Sequence, residues 1–230
     1  MTNILSLSEN FLRLWENNGF LEGILDTLYL TFVSTFIAYL IGLPLGVILN
    51  ITSKNGIAPN KWIHAPLSFI VNIFRSIPFI VLMVALLPVS DFIVGKTYGN
   101  EAMIVTLVIA AAPYIARMVE SSLKEVEYGV IEAASSMGAN NWQIITKVLL
   151  PEAKPSLVVG AVISIVTVLG YSAMSSTIAG GGLGAIAITE GHKRLNDDII
   201  WFCVLLIVII VQIIQEVGMY ISRKIDKRIK

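Results

Sequence analysis

The sequence predicts an all-α membrane protein: five transmembrane helices and one polar helical hairpin on the aqueous side. Three observations lead there. First, 56% of the 230 residues are hydrophobic and only 14% are charged, with a mean hydropathy of +0.80, whereas soluble domains carry about 25% charged residues. Second, a hydrocarbon core of about 30 Å asks for roughly 20 apolar residues per helix, and five such stretches lie near 24–49, 67–90, 102–119, 155–179 and 199–221. Third, a polar island, EAASSMGANNWQIITKVLLP from Glu132 to Pro151, interrupts this greasy chain. It must face water or a partner.

Taken in order, the first stretch is a plain apolar helix holding Pro44. The second is interrupted by Arg75 and Pro78. It reads either as one span or as an oblique interfacial helix from Trp62 to Phe74 that leads into a span starting near Ile77. Prolines 44, 78 and 113 are tolerated where neighbouring helices or local adjustments satisfy the freed carbonyls. Along the fourth stretch, Gly160, Ala161, Ser164, Gly170, Ser172, Ala173, Ser175 and Ser176 permit close helix approach. The fifth contains Cys203, the one cysteine, which excludes an intrachain disulfide and reads as a small buried hydrophobe. Glu216 is the one carboxylate expected within the hydrocarbon.

The hairpin occupies 122–150 of a single 1–230 domain. Val126, Val130, Ala133, Ala134 and Met137 recur at helical spacing as an apolar stripe, with Glu125, Glu127 and Glu132 off it. Gly138 suits a left-handed helix end, and Asn140 with Gln143 makes a capping box for a second helix. That helix presents Trp142, Ile145, Val148 and Leu149 on one face. Pro151 is expected to stop it.

Lysine and arginine set the orientation. Lys54 and Lys61, then Arg117, Lys124, Lys147 and Lys154, then Arg223, Lys224, Lys227, Arg228 and Lys230 fall on one side of five spans. Arg13, Lys96, Lys193 and Arg194 fall on the other. The positive-inside rule puts the hairpin and carboxyl terminus in the cytoplasm and the amino terminus outside. The segment before Ile24 has no basic n-region or cleavage site, so no removable signal peptide is expected.

Several functions are excluded. A formal net charge of +0 gives no basis for nucleic-acid binding. His64 and His192 have no ligand-spaced partner, so no metal site is expected, and no catalytic constellation appears. Gly180, Gly181, Gly182 and Gly184 lack a following Lys-Ser/Thr pair, and Gly95-Lys96-Thr97 has Ser90 where a P-loop needs glycine. The glycine cluster therefore reads as a link at the outer end of the fourth span, either a gate hinge or a plain loop.

The island resembles the cytoplasmic "EAA" signature of ATP-binding-cassette (ABC) importer permeases of type I: Glu132, Ala133 and Ala134, three residues, Gly138, nine residues, Val148, any residue, Leu150 and Pro151. FRSIP at Phe74 to Pro78 resembles the arginine-x-x-proline stretch that opens a core helix in many amino-acid-type permeases, while GYSAM at Gly170 to Met174 and AGGGLG at Ala179 to Gly184, together with AAPYIARMVE at Ala111 to Glu120, are similar to segments of methionine-importer permeases. Arg75 in that setting is either a substrate contact or a side chain snorkelling to the interface. The resemblance implies a homodimer with the pathway on its two-fold axis. It also implies two separate ATPase subunits that hold ATP and magnesium, an extracytoplasmic substrate-binding (lipo)protein, a small amino-acid substrate and a bacterial inner-membrane location. Glu132, Ala133, Ala134, Gly138, Ala139, Leu150 and Pro151 then couple to the ATPase, while Tyr171 and Met174, three apart on the fourth span, face the pathway or pack between helices. This chain itself binds no cofactor in that reading and catalyses nothing. A permease for another amino acid, or an ATP-independent secondary transporter whose hairpin is only a cytoplasmic loop, fits the same composition.

Overall fold

A computed structural model describes Glu9 and residues 11–226; the predicted basic residues Lys227, Arg228 and Lys230 lie outside the described residues. Among the described residues there is no strand. The main helices are α1 (Gly19–Thr52), α2 (Lys61–Ser76), α3 (Phe79–Ala85), α4 (Leu87–Val94), α5 (Gly99–Lys124), α6 (Tyr128–Ser136), α7 (Asn141–Ile144), α8 (Lys154–Ser172), α9 (Leu183–Ile186) and α10 (Asp197–Ile225). Helices α1, α5, α8 and α10 are long and apolar enough to cross a membrane, and α2 with α3 forms a sharply bent pair that makes a fifth where the two are one broken span.

The second stretch is broken into two helices, α2 and α3. Asn60 starts α2 by accepting from the Trp62 and Ile63 amides at 3.0 and 3.3 Å. Ile77 ends it in an extended conformation, φ −83° and ψ 128°, because the ring of Pro78 disfavours the helical region for the residue before it. The fourth span also differs from expectation. It ends at Ser172, and a 3₁₀ turn, Ser175–Ile178, follows where the sequence suggested continued helix to 179.

Contacts divide the chain into two compact units. One comprises Met1–Thr35, Phe79–Val108 and Ile165–Ile214. Its core gathers Phe20, Leu183, Ile199 and Cys203, so the lone thiol is buried as a hydrophobe. Phe202 meets Phe20 at 4.8 Å and Phe11 at 5.1 Å, both edge-on, the arrangement favoured by aromatic quadrupoles. Gly95 closes α4 at φ 69°. The Gly95-Lys96-Thr97 stretch is thus a helix end, with Lys96 bonded to Glu101 at 3.4 Å.

The other unit comprises Phe36–Pro78, Ile109–Ser164 and Gln215–Lys230. Here Leu49 of α1, Val71 of α2 and Ala116 of α5 form the core, with Leu45 and Leu67 packed against it. The whole expected hairpin, 122–150, belongs to this unit.

Candidate functional site

The hairpin is built by local rules. Helix α6 follows Glu127, and its end is closed by three amides: Met137 donates to Ala133 at 3.1 Å, Gly138 to Ser135 at 3.0 Å, and Ala139 to Ala134 at 3.1 Å. Gly138 holds φ +84°, and a Cβ there would meet nothing within 4 Å. Glycine is required by the backbone conformation, not by space. Immediately after, the Gln143 amide donates to Asn140 Oδ1 at 2.9 Å and the Asn140 amide to Gln143 Oε1 at 3.0 Å, the reciprocal capping box. Two fixed ends separated by one residue set the angle between the helices.

The second helix does not stop at Pro151. It passes through a wide π-turn, Ile145–Leu149, into a last turn, Leu150–Glu152, that contains the proline, and ends at Ala153. In a regular ladder the ring would clash with the carbonyl four residues earlier. The extra residue of a π-turn relieves that clash.

Burial sorts the coupling candidates. Glu132, Ala133 and Gly138 are exposed, Ala139 and Leu150 are half-buried, Pro151 is exposed and Ala134 is buried. The expected apolar stripe is split. Val126 and Ala134 face inward, while Met137 is 82% exposed and Val130 40%. On the second helix Ile145 and Leu149 are buried, as is Ile144, but Trp142 is 72% exposed. With Tyr128 also exposed, the hairpin carries large apolar side chains that no described residue covers. Beside it a cleft of about 780 Å³ is lined by Lys54, Gly56, Lys124, Tyr128 and Ile131.

The glycine segment, expected as a gate hinge or a plain loop, is hydrogen-bonded to α1 and α5. Gly181 donates to Asn100 Oδ1 at 2.7 Å and accepts from Ser175 Oγ at 2.6 Å, while Asn100 Nδ2 donates to Asp26 Oδ1 at 3.0 Å. The Gly180 amide donates to the Ser175 carbonyl at 2.9 Å, and the Leu183 amide to Thr27 Oγ1 at 2.9 Å. Gly182 sits at φ +107°, and a Cβ on Gly184 would overlap the backbone of Ala173. Close approach and conformation, not looseness, demand these glycines. Asp26, Thr27 and Asn100 were missed by sequence reasoning, since no local pattern ties them to residues so far along the chain.

Tyr171 lies one residue before the end of α8 and stacks on Phe79, ring centroids 4.6 Å apart and 6° from parallel. Met174 lies beyond the helix end and is 40% exposed. The two therefore do not share a continuous helix face, although the Met174 amide still donates to the Tyr171 carbonyl at 3.0 Å. Arg75 is exposed in the last turn of α2, where a cation suits the helix dipole. Glu216 is exposed. Glu120, which the sequence did not single out, is a carboxylate with only 3% of its surface exposed.

Comparison with known proteins places these features in a family. Residues 42–230 match the model for binding-protein-dependent transport system inner membrane components. The chain is 46% identical over 203 residues to the probable D-methionine transport system permease protein MetI of Vibrio cholerae, covering 88% of this chain and 90% of that one. It is 44% identical over 181 residues to the methionine import system permease protein MetP of Bacillus subtilis, covering 79% and 82%. Among solved structures, an inward-facing conformation of the MetNI methionine ABC transporter contains a chain that superposes with a TM-score of 0.88 at 46% identity, covering 90% of this chain and 96% of that one.

Proposed function

The chain belongs to the family of binding-protein-dependent transport system inner membrane components, and from that premise we propose that it is the membrane-spanning permease of an ATP-driven importer of methionine. It is a multi-pass membrane protein and a transport subunit, not an enzyme. ATP and magnesium are bound by a separate ATPase. The observation that carries this reading is the hairpin: a complete EAA spacing folded into two capped helices that leave Tyr128, Met137 and Trp142 uncovered. A surface of that kind fits a groove on a partner, and rigid caps let it transmit displacement.

A second copy of the chain completes the pathway. Only 11% of the apolar window of α10 is buried within the chain, against 72% for α5, so α10 has a face left for lipid or for its twin. A C₂ pair presents two hairpins to two ATPase subunits. Substrate is delivered by an extracytoplasmic binding protein. Supporting a cytoplasmic hairpin is the sorting of charge. Lys54, Lys61, Arg117, Lys124, Lys147, Lys154, Arg223 and Lys224 all belong to the unit that contains the hairpin, and Arg13, Lys96, Lys193 and Arg194 to the other. On this reading the amino terminus is outside and the carboxyl terminus inside, in a bacterial inner membrane.

Coupling then runs through Glu132, Ala133, Ala134, Gly138, Ala139, Leu150 and Pro151. Tyr171 and Met174 contribute to the pathway wall, an aromatic ring and a thioether suited to a methionine side chain. The bonded segment Gly180 to Gly184 is a closed state of the outer gate, opened by exchanging its hydrogen bonds.

The test is methionine uptake into proteoliposomes that contain the chain, its ATPase and its binding protein. Uptake is expected only with ATP and binding protein together. Uptake without hydrolysis, driven by an ion gradient, would replace this reading with secondary transport.

A further inference from the structure

Near the end of α5, three residues form a charge cluster that ties two helices together. Glu120 is almost fully buried and accepts from two cations on its own helix, Arg117 on one carboxylate oxygen and Lys124 on the other at 2.7 Å. Arg117 extends the cluster to α2. Its Nη2 donates to the Ser68 hydroxyl, to the Ser68 carbonyl at 3.2 Å and to Asn72 Oδ1 at 2.9 Å. Ser68 and Asn72 lie four apart, one turn of α2. One guanidinium thus grips a turn of a neighbouring helix while a buried carboxylate fixes its plane.

Two features set this cluster apart from ordinary helix packing. A buried carboxylate is costly unless its partners are in place, so Glu120 enforces the position of Arg117. In addition, Arg117 Nε is buried with no hydrogen-bond partner among the described residues, and a buried orphan donor calls for an explanation. A guanidinium with one donor in reserve suits an element that exchanges acceptors between two arrangements. The location supplies the reason: α5 ends at Lys124, and α6 of the hairpin begins only at Tyr128.

We propose that Arg117 and Glu120 are positioning residues that carry hairpin displacement from α5 onto α2, so that the broken second span moves with the hairpin. This rests on the permease reading above. Movement of the hairpin pulls the last turns of α5, and α2 follows because three of its oxygens are held by Arg117. Without the clamp the ATPase still closes on nucleotide, but α2 lags and less substrate passes per ATP hydrolysed.

The experiment uses the complete complex in proteoliposomes, in a Cys203→Ala background. Glu120→Gln and Arg117→Gln should still co-purify with the ATPase and hydrolyse ATP within about twofold of the parent, while methionine imported per ATP falls roughly tenfold, within the usual range of coupling between sites. Ser68→Cys/Arg117→Cys should be uncoupled in the same way. A thiol-reactive spacer as long as the lost side chain should restore most of the ratio. The clamp is overturned if uptake and hydrolysis fall in proportion, if both glutamine variants fail to assemble, if coupling is unaffected, or if the bridged protein is no better than the unbridged one. A parent complex without ATP-dependent uptake would instead overturn the permease reading.

Discussion

Phe79 and Tyr171 lie face to face, 6° from parallel with centroids 4.6 Å apart, so the first residue of α3 packs on the last turn of α8. Such a pair contributes about 0.5–1.5 kcal/mol beyond its buried area. Tyr171→Phe keeps the stack and should keep uptake, while Tyr171→Ala removes it. We expect Tyr171→Ala, and separately Met174→Ala, to raise the KM for methionine or to widen the range of accepted analogues in assembled complexes that still hydrolyse ATP. Uptake kinetics identical to the parent in both would remove these residues from the pathway.

Gly138→Val should disconnect the hairpin. A β-branched residue at φ +84° costs on the order of 1–2 kcal/mol or more, and the chain can escape only by unwinding the turn. Membrane insertion should be normal and ATPase stimulation reduced, as read by hydrolysis in the reconstituted complex. Coupled uptake at the parent rate would show that the turn angle is irrelevant.

Removing the capping box gives a milder version. Asn140→Ala leaves the Gln143 amide without its acceptor at 2.9 Å, a loss of about 0.5–2 kcal/mol. The expected result is weaker binding of the ATPase with little change in uptake at saturating ATPase, measured by titrating the ATPase into permease vesicles.

Orientation is tested at the same residue. Asn140 is exposed, and Asn140→Cys should resist an impermeant maleimide in intact cells yet react in inverted vesicles. Labelling of intact cells would place the hairpin outside.

Asn100→Ala should loosen the glycine segment. It strips the Gly181 amide of its acceptor and Asp26 of its donor, a loss of roughly 1–2 kcal/mol locally, equivalent to five- to thirtyfold in an opening equilibrium. Hydrogen exchange of the peptide containing 180–184 should accelerate by that order. Unaltered exchange would mean that packing alone holds the segment.

The sequence by itself determined what depends on near neighbours. Span positions follow from runs of apolar residues, and the hairpin from Gly138, Asn140 and Gln143, whose capping bonds reach three to five residues along the chain. Tertiary structure decided everything that needs a distant partner. Gly181 meets Asn100 from 81 residues away and Leu183 meets Thr27 from 156, bonds that no local pattern announces. Met137 matched an inward stripe by spacing but faces out, because burial is set by which helices pack alongside and not by periodicity alone. Glu120 has both its cations, Arg117 and Lys124, within four residues on its own helix, and only the packing of α2 brought Ser68 and Asn72 to the far side of Arg117. Pro151 read as a stop until a π-turn opened room for its ring. Local backbone chemistry is written in adjacent residues, whereas desolvation and close approach arise only once separate helices meet.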